Sequence, residues 1–140
     1  MAIPTKLTLE VVTPDKLLIR EDVDEVQVPG SEGYLGVLPG HTPLLATLKI
    51  GELWFRKGQD TTHLAIAGGF VEVLPDRVTV LAQVAERAHD IDVARAEAAK
   101  QRAEERIGRP ALEMDVERAR IALLKSLVRI QVASRARTRV

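Results

Sequence analysis

The chain has 140 residues, 46% hydrophobic, 29% charged and 3% aromatic, with no cysteine and a formal net charge of zero. Its length suits one domain or two small units, and the lack of cysteine excludes a disulfide framework, a zinc–thiolate site and a cysteine nucleophile. No apolar run approaches the roughly 20 residues that cross a bilayer, and MAIPTKLTLEVV lacks the pattern of a signal peptide, so a soluble chain that stays where it is made is expected.

The zero is a cancellation. Up to Ala85 there are seven basic and eleven acidic residues; beyond it there are thirteen and nine. Fourteen of the sixteen Gly and Pro residues and all four aromatics (Tyr34, Trp54, Phe55, Phe70) lie in the first part. Gly and Pro punctuate strands and break helices, so the asymmetry separates an all-β unit from an all-α unit. The expected division is 1–86 and 87–140.

In the first part Leu7, Leu9 and Val11 alternate with Lys6, Thr8 and Glu10, the period of a half-buried strand. Further strands are expected at Leu17–Arg20, Val23–Val28, Tyr34–Leu38, Leu44–Ile50, Leu53–Lys57, His63–Ala67, Phe70–Leu74 and Val78–Val84, with turn residues such as Pro29-Gly30, Pro39-Gly40 and Pro75-Asp76 between them. Many short strands with no helix between them predict an antiparallel β-sandwich or barrel rather than a parallel α/β sheet.

The second part predicts a hairpin of two antiparallel helices, making the whole chain α+β. Asp90 or Asp92 caps the first helix, and Gly108 with Pro110 ends it. Ala94, Ala98 and Ala103 give it a small-residue surface. A second helix is expected from about Met114 to Ala133, with Val116, Ala119, Leu123, Leu127 and Ile130 as its apolar stripe. From Arg118 onward there are seven basic residues and no acidic one.

Catalytic chemistry is thin. His41, His63 and His89 have no metal-ligand spacing, the serines have no nucleophile-elbow context, and no phosphate-binding loop is present; no catalytic and no metal residue is assigned. His63 reads as a surface or edge residue, and His41 as part of a constrained loop. Asp92 and Arg95 fall on one helix face, with Arg102 seven residues on, and Lys125 and Arg129 share a face of the second helix. Folded together, these cations can converge on a polyphosphate; the plainer alternative is a solvated charged surface. The basic tail with Arg135, Arg137 and Arg139 suits an acidic protein partner better than nucleic acid, for which the helical part lacks stacking aromatics.

Val11-Val12-Thr13-Pro14-Asp15, GSEGYLGVLPGHTPL from Gly30 to Leu44, AGGFVEV from Ala67 to Val73 and VTVLAQVAERAHDIDVARA from Val78 to Ala96 resemble the epsilon subunit of bacterial ATP synthases over nearly the full length. The resemblance implies a sandwich of about ten strands and a two-helix domain. It implies a non-catalytic central-stalk rotor subunit that couples proton translocation to ATP synthesis, peripheral at the cytoplasmic face of the bacterial cell membrane. The sandwich would bind the gamma subunit and the c-subunit ring, with Glu32, Tyr34 and His41 in the contact region; Tyr34 stands where relatives often carry an acid. The helices would move between a compact hairpin and an extended form that reaches the beta and alpha subunits and blocks ATP hydrolysis. Ile91-Asp92-Val93-Ala94-Arg95-Ala96 matches an ATP-binding motif of the family, with Glu86, Arg102, Lys125 and Arg129 at further nucleotide-contacting positions; Lys125 departs from the arginine of better binders. ATP is thus a regulatory ligand rather than a required cofactor, and no nucleic acid and no membrane insertion are implied. The competing reading is a sandwich adaptor whose hairpin only docks a protein, without nucleotide or regulation.

Overall fold

The computed structural model describes residues 3–109 and 113–137. The chain divides into two compact units, Met1–Glu86 and Arg87–Val140.

The first unit has seven strands: β1 Leu7–Val12, β2 Leu17–Val23, β3 Glu25–Gly30, β4 Gly33–Val37, β5 Leu44–Lys57, β6 Asp60–Leu74 and β7 Arg77–Arg87. Their hydrogen-bonded order is β2-β1-β7-β6-β5-β3-β4. The described pairings are antiparallel except for β1 against β7, which run parallel from Thr8↔Arg77 to Val12↔Leu81. Alternation along β1 is clean: Leu7, Leu9 and Val11 are fully buried and their neighbours half-buried. With Val23, Val26, Val28, Leu53, Leu64, Ile66, Val71, Val73, Val78 and Val80 they build an aliphatic core.

Nine expected segments become seven because β5 and β6 are each one long strand. They hold a single register from Leu44↔Val73 to Lys57↔Asp60. Along β6, however, the buried positions pass from Leu64 and Ile66 to Val71 and Val73, a change of parity. Gly68 and Gly69 make that change with φ of +76° and +128°, values L side chains avoid. A Cβ at Gly69 would stand 2.1 Å from the carbonyl oxygen of Leu81, so β6 bends where β7 comes closest. Such glycine kinks turn one strand through the corner of a sandwich.

One polar cluster fastens the strand ends. Asp24 pairs with Lys6 and, at 3.5 Å, with Arg56, and it accepts the Gly58 backbone N–H at 2.7 Å. Arg56 also pairs with Glu25 at 2.9 Å. The start of β1, the β2–β3 corner and the β5–β6 turn thus share one network.

In the second unit a 3-10 turn, Ala88–Asp90, precedes α1 (Val93–Gly108) and α2 (Glu113–Arg137). Asp92 is the N-cap, accepting the Arg95 backbone N–H at 3.0 Å. The faces that meet agree with those expected at Ala103 and Ala119 and differ elsewhere. On α1 the buried residues are Ala96 and Ala103, while Ala94 and Ala98 are exposed. On α2 they are Ala119, Ser126, Val132 and Ala133, while Leu127 is 41% exposed. The stripe of α2 therefore runs through Ser126, whose hydroxyl donates to the Ala122 carbonyl at 2.9 Å and so tolerates burial. A buried hydroxyl carries no apolar periodicity, so the apolar pattern points to Leu127 where the structure buries Ser126. α2 begins and ends beyond the expected limits, at Glu113 and Arg137. Pro110, Arg139 and the side chains of Met114 and Arg137 lie outside the described residues.

Candidate functional site: a cationic hairpin face and an apolar groove

The hairpin organises its charge around the contact residues. Each of four contact positions is preceded by a cation: Arg95-Ala96, Arg102-Ala103, Arg118-Ala119 and Lys125-Ser126. In an antiparallel pair, the residues just before the contact positions of both helices fall on the same side of the pair. Arg106, four residues past Arg102, and Arg129, four past Lys125, extend both rows on that side. The rows have identical spacing, 95/102/106 and 118/125/129, and run in opposite directions. All six cations are exposed except Arg129, which is half-buried.

The carboxylates go elsewhere. Glu97 and Glu104 follow the contact alanines and lie on the opposite side of α1. The acids nearest the cationic side are Asp92, whose carboxylate caps α1, and Asp115.

This arrangement sorts the expected nucleotide residues. Arg95, Arg102, Lys125 and Arg129 are brought to one face. Ile91 is 7% exposed and Ala96 fully buried, so they hold the hairpin together rather than present side chains to solvent. Asp92 has its structural role as the cap. Glu86 belongs to the other unit, at the end of β7. The sequence reading missed Arg106 and Arg118; the signal was their place relative to the contact residues, which needs the true contact face.

In the sandwich, Glu32 and Tyr34 line an open groove of about 490 Å³ together with Gly30, Leu35, Leu44 and Leu45. Tyr34 is 52% and Leu45 72% exposed, and the Lys49 ammonium lies 5.2 Å from the Tyr34 ring centre, within cation–π range. His41 is not in the groove; it lies on the β4–β5 connection, its Nδ1 2.6 Å from the Thr42 carbonyl oxygen. Exposed Leu44 and Leu45, absent from the expected contact set, form the apolar part of this surface. A second shallow groove, about 320 Å³, runs between Pro14, Phe70 and Leu81.

His63 departs from the surface or edge reading. It sits on β6, an interior strand, half-buried, with Nδ1 3.3 Å from Glu52 Oε1. Among the described residues no group of His, Asp and Glu could hold a metal ion, and no helix is long and apolar enough to cross a membrane.

Comparison with known proteins places this architecture. Residues 6–88 match the family model for the ATP synthase delta/epsilon chain β-sandwich domain, and residues 89–134 that for its long α-helix domain. The chain is 49% identical over 132 residues to the ATP synthase epsilon chain of Solibacter usitatus strain Ellin6076, covering 94% of this chain and 98% of that one. It is 52% identical over 132 residues to epsilon chain 2 of Syntrophotalea carbinolica, covering 93% and 95%. The fold is also similar to a chain in the Euglena gracilis mitochondrial ATP synthase (OSCP/F1/c-ring), with TM-score 0.84, 24% identity and coverage of 96% and 84%. A chain in the Tetrahymena thermophila mitochondrial central stalk and c-ring is similar at TM-score 0.58 and 15% identity, covering 98% and 100%. This chain belongs to the ATP synthase delta/epsilon chain family, as an epsilon chain, a non-catalytic subunit rather than an enzyme in its own right.

Proposed function

We propose that this subunit works in the rotor, its sandwich seated against the gamma subunit and the c-subunit ring and its helical unit restraining ATP hydrolysis. The observation that carries the seating is the groove at Tyr34, Leu44 and Leu45. Exposed apolar surface of this kind, rimmed by Glu32 and Lys49, marks a protein-docking site. Glu32, Tyr34 and His41 are then contact residues, joined by Leu44 and Leu45. The subunit couples proton translocation to ATP synthesis by transmitting torque, peripheral to the membrane on the cytoplasmic face, without entering the bilayer.

The hairpin is the regulatory part. Extended, its helices reach the beta and alpha subunits and block hydrolysis. Compact, it binds ATP along the face carrying Arg95, Arg102, Lys125 and Arg129, with Ile91, Asp92 and Ala96 shaping the start of α1 and Glu86 as the remaining position. ATP favours the compact form only by the margin with which it binds that form more tightly. The segregated cations favour this reading over a hairpin that only docks a protein.

Two measurements test it. Truncation after Ala88 should raise the ATPase rate of the assembled enzyme; an unchanged rate removes the inhibitory role. Calorimetric titration of the chain with ATP should show saturable binding. A charge-assisted hydrogen bond contributes about 1.5–3 kcal/mol, so Arg95→Ala or Arg129→Ala should weaken it by roughly 10- to 100-fold. No heat at millimolar ATP ends the sensing role.

A further inference from the structure

The cationic face of the hairpin is longer than a mononucleotide site. Arg95 to Arg106 spans eleven residues, about 16 Å at 1.5 Å per residue, and Arg118 to Arg129 spans the same length on α2. Because the helices run antiparallel, Arg129 lies toward the Arg95 end of the face and Arg118 toward the Arg106 end. The four cations assigned to ATP leave Arg106 and Arg118 as an unassigned pair at the far end, both exposed. Neither is ion-paired to a described residue.

We propose that this face binds linear inorganic polyphosphate along its length, with Arg106 and Arg118 gripping the phosphates beyond the reach of a triphosphate. The inference shares its face with the ATP reading and extends it to a longer ligand.

Three features select a phosphate chain over an acidic peptide. Five of the six cations are arginines, whose planar forks hold two oxygens of one phosphate at once. The two rows flank half-buried Ala99 and Ala122, a floor of small side chains that leaves room for a thin, continuously charged chain. A peptide partner draws on aromatic and aliphatic anchors at the centre of its interface, and Leu124 and Leu127, exposed on α2, lie off this face.

The test is calorimetric titration of the full chain at low salt with ATP, tripolyphosphate, long-chain polyphosphate and poly-glutamate. It is run on the wild type and on the double variant Arg106→Gln/Arg118→Gln. Both substitutions are at exposed positions, and circular-dichroism melting checks that the helices are retained. Long-chain polyphosphate should bind the double variant about tenfold more weakly than wild type, while affinities for ATP and tripolyphosphate change by less than about twofold. Equal long-chain affinity for wild type and double variant, or no long-chain binding, overturns the proposal. Poly-glutamate binding as tightly as polyphosphate also overturns it, pointing instead to an acidic protein partner. Failure of the ATP reading is separable: ATP then gives no heat while long-chain binding and its dependence on Arg106 and Arg118 persist.

Discussion

Asp24 shows how one carboxylate can hold several chain segments. A hydrogen bond from Lys6, another from the Gly58 backbone N–H and the charges of Lys6 and Arg56 stabilise its ionised form and hold its pKa below the ordinary 3.8, against a smaller opposing effect of burial. A depressed carboxylate pKa contributes stability that is present above the unfolded-state value and lost as pH falls through the folded-state value. Urea unfolding of wild type and Asp24→Asn should therefore differ most above about pH 4 and converge in more acid solution. A constant difference across that range would count against the network. None of its three partners, Lys6, Arg56 and Gly58, is near Asp24 in sequence, so the cluster was unreadable from spacing. At the same scale, Gly69 looked like half of an ordinary Gly-Gly pair, and only its 2.1 Å approach to the Leu81 carbonyl explains why no side chain fits there.

At the scale of elements, the two helices meet through very small residues. Ala96 and Ala103 on α1, with Ala119 and Ser126 on α2, let the backbones approach closely, and all four are at most 3% exposed. Ala103→Leu inserts extra carbon into that seam. Overpacking costs typically about 1–3 kcal/mol, and a two-helix unit has little core from which to absorb it. The substitution should lower the helical unfolding midpoint of the variant, followed by far-UV circular dichroism, and a midpoint equal to wild type would show that the seam is loose. The existence of both helices, the Asp92 cap and the stop near Gly108 were legible from propensity and capping chemistry. The contact faces were legible only in part, at Ala103 and Ala119. Ala94 and Ala98 are chemically the same as Ala96 and Ala103, so residue type alone does not choose between them.

At the scale of the whole molecule, the proposed seating surface makes its own prediction. Leu45 is 72% exposed beside the groove and outside the aliphatic core, so Leu45→Glu should leave the isolated chain folded with a nearly unchanged melting temperature. It should weaken incorporation into the enzyme, read as the fraction of subunit recovered with gamma and the c-ring after purification. Full recovery would move the seating surface elsewhere. Composition by itself determined that an acidic, strand-forming part joins a basic, helix-forming part, because Gly, Pro and aromatic placement and charge are properties of residues one at a time. The motifs likewise carried the family, since residues 6–134 match it almost without interruption. Tertiary structure alone decided that β1 and β7 pair in parallel, that nine apparent strands are seven, and that six cations from two helices line one side of the hairpin. Those outcomes depend on which residues far apart in the chain come into contact, and burial and close approach choose among local patterns that the chain leaves equivalent.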